Sequence, residues 1–71
     1  MTGEELDRLR AAKPFRAFAL HLADGRELPV RSSEYLIHEL GKRTFHVEFD
    51  DGSYETIDLL LVISATVAPL A

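Results

Sequence analysis

The 71-residue sequence predicts a mainly β domain with one N-terminal helix, its strands forming a five-stranded antiparallel meander that closes into a small barrel. Three observations predict it. After residue 15 apolar and polar residues alternate with a period of two, the pattern of strands with one buried face. Asp24-Gly25 and Asp51-Gly52 interrupt that alternation where hairpin turns belong. Only the first 13 residues depart from it, and they carry helix signals.

Residues 2–13 read as that helix. Thr2 is a good N-cap and Glu5 stands three positions on, the spacing of a capping box. Glu4, Glu5 and Asp7 fall at the positive end of the helix dipole, with Arg8, Arg10 and Lys13 toward the negative end. Leu6 and Leu9 make a narrow apolar stripe, and Pro14 stops the helix. A helix this short is marginal alone, so it must dock on the β region at 15–67.

Parity sets the hairpin loops. In the first, Phe18, Leu20 and Leu22 precede the turn and Leu28 and Val30 follow it. A two-residue Asp24-Gly25 turn would set Leu22 against Glu27 and mix the faces. A three-residue Ala23-Asp24-Gly25 loop sets Leu20 opposite Leu28 and Phe18 opposite Val30, with Gly25 at the left-handed position that loop requires. Pro29 lacks a donor, so its nitrogen should face a sheet edge or a bend. By the same parity, a three-residue Asp50-Asp51-Gly52 loop pairs Phe45 with Ile57.

Residues 34–40 admit two registers. A two-residue turn at Gly41-Lys42 sets Leu36 against Val47 and His38 against Phe45. A three-residue loop turns Tyr35 and Ile37 inward and places His38 beside His46. Near the end, Asp58 starts a single helical turn over 58–61, and 62–67 form the last strand. The run 57–63 has one charge and is too apolar for an exposed edge, so it is either buried on both faces or paired with a partner chain.

Composition narrows the function. The chain is one domain, 1–71, small enough that self-association is the natural supplement to its core. Without cysteine it has no disulfide framework and no thiolate zinc site, and it suits a reducing cytoplasm. Early charges leave no secretory leader, and no apolar run approaches the roughly 18 residues of a membrane span. With 12 acidic and 8 basic residues the net charge is −4, which disfavours nucleic acid.

The order helix, four strands, turn, strand resembles the small barrels of the SH3-like and Sm-like type across nearly the whole chain. The wording is also similar to a set of small uncharacterised bacterial proteins. The matching residues are Lys13-Pro14-Phe15 with Phe18, then Leu22, Asp24, Gly25 and Arg26, then Ile57-Asp58-Leu59 with Val62. Sm-type proteins bind RNA in rings through loop residues, which makes RNA the alternative partner the resemblance implies. Here the Asp-Gly loops carry Asp24, Asp50 and Asp51 instead of basic residues.

Each candidate chemistry has a plainer explanation. Three histidines raise a metal reading, above all if His38 and His46 are cross-strand neighbours. The plain reading is three outward strand residues with no common focus, so no metal or cofactor is expected. Asp50 and Asp51 are first of all turn residues. No serine sits in a nucleophile elbow and the glycines are isolated, so no enzyme is expected. Arg8, Arg10, Lys13 and Arg16 cluster around the helix end, where dipole compensation accounts for them. What stands out is the C-terminal strand: Leu61, Val62 and Ile63 are the expected interaction residues of a self-associating or protein-binding module.

Overall fold

The computed structural model describes residues 1–69; the expected domain's last two residues, 70 and 71, lie outside them. One helix, α1 (Gly3–Ala11), precedes six strands: β1 (Phe18–Leu22), β2 (Glu27–Val30), β3 (Leu36–Ile37), β4 (Thr44–Glu48), β5 (Tyr54–Asp58) and β6 (Val62–Val67). They form two antiparallel three-stranded sheets, ordered β2-β1-β6 and β3-β4-β5. The mainly β class with an N-terminal helix is therefore correct; the five-stranded meander closing into a small SH3-like or Sm-like barrel is not, because the described residues form six strands in two separate sheets with no closed barrel. Two breaks explain the difference. After Val30 the chain leaves the first sheet and makes a 3-10 turn at Ser33–Tyr35, closed by Tyr35 N–H on the Ser32 carbonyl, so β2 and β3 are separate strands. The last strand does not continue alongside β5 but returns to pair with β1.

The capping box forms as the spacing predicts: Glu5 N–H donates to Thr2 Oγ1, and Thr2 N–H donates to Glu5 Oε1. The helix is two residues shorter at its C-terminal end than expected, because Ala12 is already extended (φ −57, ψ 138). Leu6 on its underside is fully buried.

Both hairpins have the three-residue loop that parity requires. Leu20 pairs with Leu28, Phe18 with Val30, and Phe45 with Ile57. The loops repeat each other bond for bond. Gly25 N–H donates to the Leu22 carbonyl and Gly52 N–H to the Phe49 carbonyl, both glycines at positive φ (91 and 87). In each, the middle Asp accepts the N–H two residues on, Asp24 from Arg26 and Asp51 from Ser53. Leu36 pairs with Val47 and is buried, the parity of the two-residue alternative. Strand β3 ends at Ile37, however, so His38 does not face Phe45, and Ile37, not His38, stands opposite His46. Inward residues of both sheets, among them Leu20, Val30, Leu36, Phe45, Val47 and Ile57, close on Leu6 to make one core.

Candidate functional site

The distinctive surface is the stretch from Asp58 to Val67 and the helix beside it. Asp58 caps the 3-10 turn Leu59–Leu61 by accepting Leu60 N–H at 2.9 Å, and Arg43 holds the same carboxylate at 2.9 Å. The turn splits the leucines. Leu59 goes into the core, while Leu60 is 74% and Leu61 43% exposed.

Strand β6 then carries a β-bulge. Leu22 pairs with Val62 and His21 with Ser64, so Ile63 is the extra residue. A bulge re-aims the side chain it inserts. Val62 is buried, whereas Ile63 stands 70% exposed. The three expected interaction residues thus have three fates: Val62 in the core, Leu61 half-exposed, Ile63 projecting into solvent.

Backbone alternation shows which groups β6 leaves unused. Ala68 N–H donates to the Ala17 carbonyl, and the register runs Val67 opposite Phe18 to Ser64 opposite His21. Bonded and non-bonded pairs alternate along an antiparallel ladder. Ser64 and Thr66 therefore bond to β1, while Ala65 and Val67 turn their N–H and C=O to the outer edge. Near its start the edge is occupied: the Met1 ammonium donates to the carbonyls of Val62 (3.1 Å) and Leu59 (3.4 Å).

A groove of about 600 Å³ runs between this strand and α1, with Leu9 and Ala12 on one wall and Ile63 to Ala65 on the other. Glu5 and Arg8 reach it from the helix. The Thr2 backbone and side-chain hydrogen bonds hold the Glu5 carboxyl below the usual carboxylate range. Arg8 has no ion pair among the described residues.

The other candidate residues are engaged elsewhere. His21 Nε2 meets Thr66 Oγ1 at 2.8 Å across β1 and β6, and His46 Nδ1 meets Thr56 Oγ1 at 2.7 Å across β4 and β5. His38 packs against α1, its Nδ1 2.8 Å from Asp7 Oδ1. Among the described residues no cluster of three or more His, Cys, Asp or Glu residues could hold a metal ion. Asp50 pairs with Arg31 at 2.7 Å, and Asp51 serves its own turn. In the basic cluster Arg10 donates to the Leu36 carbonyl and Arg16 to the Ala68 carbonyl. Among the described residues no helix is long and apolar enough to cross a membrane. No protein-family model, curated protein or solved structure matches the chain.

Sequence reasoning did not reach the bulge, the β1–β6 pairing or the Asp7–His38 contact. The first two are long-range and have no local signature. The third had one usable cue, acidic residues on a helix that must dock and an imidazole on the region it docks against.

Proposed function

We propose that the chain is a non-catalytic module that self-associates through β6, a second copy adding its own β6 antiparallel to the first. One observation carries the reading: the outer edge of β6 presents Ala65 and Val67 backbone unpaired among the described residues, beside the exposed Ile63, in a stretch without a charged residue from Leu59 to Pro69. Two copies related by a two-fold axis would extend one sheet in the order β2-β1-β6-β6-β1-β2. Each partner's edge would then be satisfied by the other, and each Ile63 side chain would be covered by the partner's strand.

Light scattering after gel filtration, over a hundredfold concentration range, tests the proposal. The expected mass is twice the 8.0 kDa of one chain, falling to one chain in Ile63→Lys with unchanged circular dichroism. A monomer at every concentration, or a folded Ile63→Lys that keeps the dimer mass, overturns it. A monomer that gains order only with a different protein would make the module an adaptor instead.

A further inference from the structure

His38 is the most enclosed titratable side chain in the ion pairs of this fold, 1% exposed, and it joins two elements. Its Nδ1 lies 2.8 Å from Asp7 Oδ1 on α1, and its Nε2 lies 2.7 Å from the Lys42 carbonyl in the turn before β4. Both partners are acceptors. A neutral imidazole has one N–H and would set a lone pair against one of them; the imidazolium donates to both. Gly3 makes room for the ring, since a Cβ there would stand 2.8 Å from His38 Cε1.

We propose that His38 is a protonation-dependent clamp that seats α1 on the β domain. Protonated, the ring ties the Asp7 face of the helix to the Lys42 turn. Neutral, it keeps only one of the two bonds, and α1 loosens from the core that Leu6 completes. The surrounding charges act in both directions. Asp7 favours the cation from α1, Arg10 on the same helix opposes it, Glu4 lines the same hollow, and Lys42 brings its carbonyl together with its own ammonium. From the turn before β6 comes Leu59, whose Cδ1 lies 3.7 Å from the same point beside Gly3 and which carries no charge. The Lys42 carbonyl foremost, then Asp7, raise the His38 pKa above its ordinary 6.5, and burial offsets them in part. A raised folded-state pKa gives stability that is full below the unfolded value and disappears as pH rises through the folded one. The clamp is read in the monomer, so it stands or falls separately from self-association.

The test follows the His38 ring nitrogens by NMR from pH 5 to 9, together with hydrogen-exchange protection factors of the α1, β1 and β4 amides. The sample is dilute enough to be monomeric. Protection in α1 is expected to fall as His38 loses its proton, by about tenfold per unit of raised pKa, with β1 and β4 unchanged. Asp7→Asn keeps an acceptor but removes the charge, and it should move both the titration and the loosening to lower pH together. His38→Gln should make α1 protection independent of pH; Asp7→Asn carries the test if that variant fails to fold. Constant α1 protection through the His38 titration overturns the proposal, as does a loosening that Asp7→Asn leaves in place.

Discussion

The two edges of the β2-β1-β6 sheet face the same hazard, unpaired backbone open to another chain, and meet it differently. On β2 the bond from Leu22 N–H to the Arg26 carbonyl sets the alternation, so Leu20/Leu28 and Phe18/Val30 are bonded pairs and Ala19/Pro29 is not. The Pro29 nitrogen therefore faces outward, where it offers no donor to a newcomer. Glu27 and Arg31 flank it, both exposed. Charges and proline are the ordinary means of closing an edge. On β6 the same outward positions belong to Ala65 and Val67, and the neighbouring Ile63 is apolar and exposed. Its bulge bends the strand but adds no charge. An edge left open in a chain that closes the other is the contrast on which the proposed self-association rests.

The largest expected effect separates two neighbours on the open edge. Val62 is 3% exposed and Ile63 is 70%. Val62→Asp would bury an unpaired carboxylate at a cost of about 4 kcal/mol, enough to unfold a domain of this size. Urea unfolding followed by circular dichroism would show the transition lost or moved close to zero denaturant. Ile63→Lys should change stability by only about 0.5 kcal/mol while abolishing the dimer. If Val62→Asp folds normally and Ile63→Lys unfolds, the bulge is misplaced by one residue and the edge assignment fails with it.

A smaller effect comes from moving the guard of one edge to the other. Ala65 occupies on β6 the non-bonded position that Pro29 occupies on β2, so Ala65→Pro removes an outward donor without removing a bond to β1. The expected result is a monomer by light scattering with stability lowered by about 1–2 kcal/mol, mainly from the fixed φ of proline. A dimer that survives this change would mean that side-chain contacts at Ile63, rather than strand pairing, hold the copies together.

How much of this was legible in the sequence follows from the range of each interaction. The hairpins were, because a loop of wrong length would set Leu22 against Glu27, and local turn chemistry at Gly25 and Gly52 agrees with that parity. The capping box and the turn at Asp58 were legible for the same reason: partner and donor lie within three residues. The return of β6 to β1 was not, since any half-buried strand satisfies the alternation and Phe18 meets Val67 across almost the whole domain. The site was half legible. An apolar run at 59–63 announced an unusual surface, but a run of leucine, valine and isoleucine does not say which of its members a 3-10 turn and a bulge will expose. Only the pairing of Leu22 with Val62, skipping Ile63, decides that. His38 was hidden by its strand context, which suggested an outward residue although the strand stops one residue before it.

The smallest expected effect asks whether the guard on β2 is needed at all. Pro29→Thr restores an N–H at a position that bonds nothing within the chain, so the folded domain should change by no more than about 0.5 kcal/mol. What should change is association. With the proline gone, β2 offers a complete row of donors and acceptors, and a chain with two open edges can add copies at both. Two closing edges make a dimer, whereas two open edges on opposite sides of one sheet make a chain without a natural end. Pro29→Thr is therefore expected to show species larger than the dimer, growing with concentration, and Ile63→Lys placed in the same chain should cut them back to pairs joined through β2. If the single variant keeps the mass of the parent, Glu27 and Arg31 suffice to close that edge, and the contrast between the edges lies in charge rather than in proline.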